Sequence, residues 1–510
     1  MLRPGVVLCA VVAAACGGAA SRPTSLTGAD ILRVVPADTP YVYAALEPLP
    51  AAYVDQAMRD GRPELERRAK DLDAVARDSR AGALARTLVR ELLSHDSPAG
   101  LAEIGVATGR GAWVVYGIGL APALRVELSA PDRMAAFLDG VVAKSGVSVA
   151  TEMSGNHRYR VLRDAASGLA LAWAIDGGAL VATVASSAKL AEVLPQLFAD
   201  RLPARSLADT DAVRALARAY GFKSLHVLAI DLPRLVGALA DAIPADAACR
   251  GELAAIAGEA PRIVAGFEEL SPAHDRVRVT VELSLRLCKL LAGLRAPAAG
   301  VGLPLGSALA RIGLAGDVKA AADVARLWAA AVRANPYRCP FLSGLNRDAG
   351  DLWGELAAPL PEWLAPLRGA SAVIYDADFT NVRGYVLVTA ADPLQVVGTL
   401  IAMIPSLRGA SLPPDGTPVP LPASLGPIDH VAVKGNVVGV SAGGSEGDLG
   451  RAIAAPVPPD PPLFHLAVDG ARVGATLGAF DDSLRGLSGK WDVAVSVDDR
   501  GVTLRVDRRR

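Results

Sequence analysis

The chain has 510 residues, 52% of them hydrophobic and only 5% aromatic, and its 52 basic and 53 acidic side chains leave a formal net charge of −1. That balance excludes a general electrostatic grip on nucleic acid, which needs clustered Lys and Arg to displace phosphate counterions. A positive mean hydropathy of +0.33 excludes a disordered chain, and the expectation is a globular protein with cores of Ala, Val and Leu.

The chain opens MLRPGVVLCAVVAAACGG, with Arg3 ahead of an apolar stretch from Gly5 to Ala15. That stretch is shorter than the roughly 20 residues a bilayer span needs and has the length of a secretory signal core. Its end, Ala13-Ala14-Ala15-Cys16, resembles the lipobox of bacterial lipoproteins, whose cysteine thiol takes a diacylglycerol and becomes the mature N-terminus. The resemblance implies a signal peptide over 1–15 and lipidation at Cys16, followed by a flexible polar tether over 16–28. Two or three acyl chains anchor stably where one is marginal. No later segment reaches 18 uninterrupted apolar residues, so no transmembrane helix is expected.

Tyr41 to Leu46 reads as a strand, followed by helical sequence around Leu84, Leu88 and Leu92. The hairpin Trp113 to Leu128 leads to the pair Ser129 and Asp132, a capping-box spacing. The next helix puts Met134, Phe137, Leu138, Val141 and Val142 on one face, with Gly146 as its stop. Leu169 to Ser187 reads as two strands around a DG turn, and His226 to Val236 as a strand running into a helix behind Asp231. From Val277 to Leu287 apolar and polar residues alternate strictly, the period of an antiparallel strand with one dry face.

The same series recurs. Ala308 to Leu314 precedes a helical run from Asp317 to Val332, and Ala372 to Val388 matches the first hairpin, with Tyr375 set against Tyr116. Thr389 and Asp392 repeat the capping spacing, and His430 to Ser445 repeats the second hairpin, with Ser441 against Thr183 and Ser445 against Ser187 as helix starts. His465 to Val473 aligns Asp469 and Arg472 with Asp231 and Arg234, and Val502, Leu504 and Val506 alternate in a closing strand. The expected fold class is therefore α+β, with two tandem duplicated domains, residues 29–298 and 299–510, each an antiparallel sheet packed against helices. The phrase Ile31 to Pro50, containing Pro36-Ala37-Asp38-Thr39, is similar to the start of uncharacterised exported bacterial lipoproteins with a "PADT" mature N-terminal phrase and repeated α+β units. That resemblance implies the layout and carries no activity.

Of five cysteines, Cys9 leaves with the signal and Cys16 is lipidated, which leaves Cys249, Cys288 and Cys339. In an oxidising envelope one pair is expected to bridge and one thiol to stay free, with the pairing open. No CxxC or Cys/His cluster is present, so neither metal nor cofactor is expected.

Gly439-Val440-Ser441-Ala442-Gly443 matches the G-x-S-x-G of a serine-hydrolase elbow. That chemistry runs Ser, acid, His along the chain, yet only His465 follows, no HGGG loop precedes, and Thr183 stands at the matching place. His95, His157, His226, His274, His430 and His465 form no HExxH or HxH, and His226 and His465 are offset onto opposite faces. Asp376 and Asp378 read as a solvated hairpin turn, since the first copy has Gly117 and Gly119 there. Asp231 and Asp469 read as helix caps with Arg234 and Arg472 in the first turns.

The expectation is a lipid-anchored bacterial cell-envelope protein, a non-catalytic binding or scaffold module facing the periplasm or surface, with the outer membrane favoured. Its partners are the membrane, through the anchor, and an unknown protein or hydrophobic ligand. A periplasmic hydrophobic-ligand or lipid carrier is the alternative, and a serine hydrolase using Ser441 ranks last.

Overall fold

In strand β2 (Trp113–Ile118) Val114 and Tyr116 enter one core while Trp113 and Val115 enter another, as the two-residue period of an extended chain dictates. The computed structural model describes residues 28–75, 79–106, 111–242, 246–377, 382–403, 411–422, 426–477 and 488–510. The expected signal peptide, Cys16 and the tether up to residue 27 lie outside the described residues, as does Asp378. The chain divides into two compact units, one up to Pro244 with Arg262–Asp275, the other Ala245–Pro261 with Arg276–Arg510. The architecture is α+β, with antiparallel strands and helices.

In the first unit β1 (Tyr41–Ala45), β2, β3 (Ala121–Glu127), β4 (Ala150–Ser154), β5 (His157–Asp164), β6 (Leu169–Asp176), β7 (Ala179–Ser186), β8 (His226–Asp231) and β9 (Arg262–Leu270) form one antiparallel sheet. Their spatial order is β9-β8-β1-β2-β3-β7-β6-β5-β4. Gly177 and Gly178, both at positive φ, make the tight β6–β7 turn, a backbone that residues with a Cβ resist. Helices Leu190–Leu197 and Ala212–Tyr220 set Leu194, Val213 and Ala217 against Val114, Tyr116 and Val181. On the other face, helices Arg80–Leu93 and Pro131–Ser145 set Leu84 and Val141 against Trp113, Leu124 and Val126.

The second unit holds β10 (His274–Glu282) from Arg276 onward, β11 (Ala310–Ala315), β12 (Leu367–Ala377), β13 (Val382–Ala390), β14 (Val419–Pro420), β15 (Ile428–Lys434), β16 (Val437–Ala442), β17 (Phe464–Asp469), β18 (Lys490–Val497) and β19 (Gly501–Arg509). Their order is β10-β19-β18-β17-β11-β12-β13-β16-β15-β14. Helix Glu446–Ala454 packs Leu449 and Ile453 onto Val373, Leu387 and Val437, and the opposite face carries Val397 over Val431 and Val438. Helix Ala247–Glu259 belongs to this unit. Cys249 is bonded to Cys339, and Glu252 accepts from the Arg338 and Cys339 amides (both 2.9 Å). Among the described residues Cys288 is the free thiol, buried in helix Leu285–Ala292, and burial pushes its pKa up.

Several local expectations hold and others give way. Gly146 ends its helix in the left-handed conformation, and Asp317 caps Val318–Ala334 by accepting from Ala320 N (2.9 Å). Neither Ser129 nor Thr389 forms a capping box. Pro131 and Pro393 each open their helix, and proline fixes φ for the first helical position, so Ala130 and Asp392 precede the helices instead. Thr389 Oγ1 accepts from Ala299 N (2.8 Å). The alternating run to Leu287 leaves the strand at Glu282, because Ser284 caps a helix by accepting from Leu287 N (3.2 Å).

Candidate functional site

Two amphipathic helices make the site. The Leu84, Leu88 and Leu92 stripe of Arg80–Leu93 and the Met134, Phe137, Leu138, Val141 and Val142 face of Pro131–Ser145 meet above the first sheet. Below them Leu124 and Val126 of β3, Leu180 and Ala182 of β7, and Leu171 and Trp173 of β6 form a floor. The space between them is about 150 Å³, and the side chains lining it are aliphatic or aromatic. Such a cavity offers water no hydrogen bonds. Apolar cavities of about this size lined by Leu, Ile and Phe stay dry and take benzene or xenon. The arrangement can therefore hold an apolar group of one ring or a short chain end and can do no acid–base chemistry on it.

The polar residues singled out in the sequence fall elsewhere. Ser441 lies in β16, 1% exposed, and its Oγ donates to Asp429 Oδ1 (2.7 Å). His430 Nδ1 lies 3.1 Å from that same oxygen, and Gly444 N donates to Asp429 Oδ2 (2.6 Å). Serine, carboxylate and imidazole thus meet, with the carboxylate in the middle, whereas nucleophilic serine needs the imidazole there as base. Burial acts to raise the Asp429 carboxyl, but the bonds from Ser441, Gly444 and His430 hold it below the usual carboxylate range, which makes it a poor proton acceptor. Ser441 has no positive φ, unlike the strained turn of an elbow.

His465 is far from this group. It sits in β17, four strand spacings or about 19 Å across the sheet, with Nε2 3.2 Å from Asp492. Asp429 and His430 are neighbours in β15, and adjacent strand residues should point to opposite faces. The bulge between Ile428 and His430 breaks that alternation. Asp429, His430 and Glu446 also bring ligand-type atoms within 4.8 Å of one another, with Glu446 exposed.

His226 is buried in β8 with Nε2 2.9 Å from Glu47 O, and burial pushes its pKa down. His157 lies between Asp176 (3.0 Å) and Asp200 (3.1 Å) and stacks on Phe198. Asp231 and Asp469 cap their helices by accepting from Arg234 N (3.0 Å) and Arg472 N (3.1 Å). The two arginines also act alike: Arg234 donates to Ala37 O (3.0 Å) and Arg472 to Ser307 O (2.9 Å), tying down the approach to β1 and to β11.

Among the described residues no helix is long and apolar enough to cross a membrane. Comparison of the chain with protein-family models, with curated proteins and with solved structures finds no match in any of the three.

Proposed function

We propose that the chain is a lipid-anchored, non-catalytic binding protein of a bacterial cell envelope, built from two tandem copies of one α+β unit, the first of which takes a hydrophobic ligand. The observation that carries the ligand reading is the wholly apolar lining between the two amphipathic helices and the sheet. A volume of about 150 Å³ suits a single ring or chain end, so the carrier reading narrows to small apolar groups rather than whole diacyl lipids.

The reading of two copies is supported by strand order. Seven strands run β9-β8-β1-β2-β3-β7-β6 in one unit and β18-β17-β11-β12-β13-β16-β15 in the other. Across these sheets Val42, Tyr116, Ala123 and Thr183 form one row, and Arg311, Val373, Tyr385 and Ser441 the other. On that reading Thr183 corresponds to Ser441, while Tyr116 falls on Val373, two residues from Tyr375. The anchor reading rests on the small residues before Cys16.

Two measurements test the proposal. Radiolabelled palmitate is expected to enter the full chain and not Cys16→Ser, and equal labelling removes the anchor. Benzene is expected to raise the melting temperature of the first unit by mass action. Ala182→Leu, which fills the floor of the cavity, is expected to abolish that rise. A melting temperature indifferent to benzene in the parent chain sinks the hydrophobic-ligand reading.

A further inference from the structure

The floor of the apolar cavity does not end at Trp173. Strand register carries one face of the sheet from Leu124 to Ala182, Trp173, Arg160 and Thr151, one residue from each of β3, β7, β6, β5 and β4. At strand spacing that row is about 19 Å long. Its first three residues line the apolar cavity and its last three line a second recess of about 290 Å³, so the two spaces share Trp173. Leu138, on the helix above, is common to both as well.

The recess is polar where the cavity is not. Arg158 and Arg160, two apart in β5 and so on one face, line it together with Asp139 and Thr151. Arg160 donates to Asp139 Oδ1 (2.6 Å), which satisfies that carboxylate. Arg158 is exposed and makes no side-chain hydrogen bond or ion pair among the described residues. An unpaired guanidinium at the polar end of an apolar slot recognises an oxyanion, which it binds through charge-assisted and often bidentate hydrogen bonds.

We propose that the two spaces form one amphiphile site, with a ring or short alkyl chain in the cavity and a carboxylate or phosphate head held at Arg158. This rests on the hydrophobic-ligand reading above and adds the sign of the head group to it. The affinity is divided accordingly: burial of the apolar part supplies most of the binding, and the head supplies the preference.

The test is calorimetric titration of the chain with Cys16→Ser, exported behind a cleavable signal so that no detergent competes. The probes are octanoate, octyl phosphate, octanol and octyltrimethylammonium. One of the two anions is expected to bind at least about tenfold more tightly than octanol, the worth of one charge-assisted bond, and the cation more weakly. Whichever anion binds better identifies the head. Arg158→Ala is expected to bring the anion-to-octanol ratio to about one with octanol affinity unchanged, and because Arg158 is exposed the variant keeps the fold. Equal binding of anions and octanol, or a ratio that survives Arg158→Ala, overturns the inference. If benzene still stabilises the protein in that case, the hydrophobic-ligand reading stands without it, and if benzene does not, both fall together.

Discussion

Replacing Cys249 and Cys339 together with alanine is expected to lower the stability of the second unit by about 4–5 kcal/mol. The two cysteines lie 90 residues apart, and closing a loop of that length removes that much chain entropy from the unfolded state. Both are almost fully buried, at 2% and 1% exposure, so the substitution also trims two well-packed sulfurs. Other contacts remain in the variant: Glu252 still accepts from the Arg338 and Cys339 amides, and Glu259 from Ser284 and Arg286. Helix Ala247–Glu259 is therefore expected to stay docked in the native state, with the loss appearing as a lower urea midpoint. Cys288 offers no replacement bridge, because it is buried and its thiol is pushed toward the protonated form. Urea unfolding followed by far-UV circular dichroism, with and without reductant, measures the effect. A midpoint shared by the oxidised parent and the variant contradicts it. Reductant is expected to bring the parent to the variant and leave the variant unmoved.

The parts of the fold that sequence reasoning reached are those with a strong period. The apolar faces at Leu84, Leu88 and Leu92 and at Met134 to Val142 repeat every three to four residues, and all of them line the cavity. That they face each other across a gap was not legible, since periodicity says which side is apolar and nothing of how fully it is filled. The polar cluster was missed for a different reason. A single bulge at Ile428 to His430 turns Asp429 toward Ser441, and a bulge has no reliable mark in one sequence. The capping boxes failed where proline competed, at Pro131 and Pro393. The boundary at 298/299 follows an Ala-rich linker, whereas compactness groups residues 245–261 and those from 276 onward with the second unit. A disulfide partner is invisible to periodicity, so nothing in the sequence drew helix Ala247–Glu259 to Cys339. The PADT phrase has a structural use: Ala37 O receives Arg234, and Thr39 Oγ1 accepts from Gly117 N (3.0 Å).

Arg311→Met is expected to raise the stability of the second unit by about 1–3 kcal/mol, against the usual direction for a buried substitution. Arg311 stands in β11 between Val373 of β12 and Ala467 of β17, and only 9% of it is exposed. Its Nε and Nη1 are buried without a hydrogen-bond partner. A guanidinium taken from water and left unpaired costs several kcal/mol, and hydrophobic residues of similar volume in place of buried charges stabilise by about 1–4 kcal/mol. Arg125 of the first unit also has an unpartnered Nε, but its Nη2 is supported by Leu197 O at 3.2 Å and Asp176 at 3.7 Å. On the proposed two-copy reading, the place in β1 that matches Arg311 is Val42, an apolar residue 6% exposed. Arg311→Lys separates charge from shape: it keeps the charge and is expected to give no gain. Thermal unfolding of parent, Met and Lys variants at one pH decides the matter, since 1 kcal/mol moves the midpoint by about 2–4 °C in a unit of this size. A fall of more than 1 kcal/mol in the Met variant would show that the guanidinium is stabilised in place, and the burial argument would then be wrong.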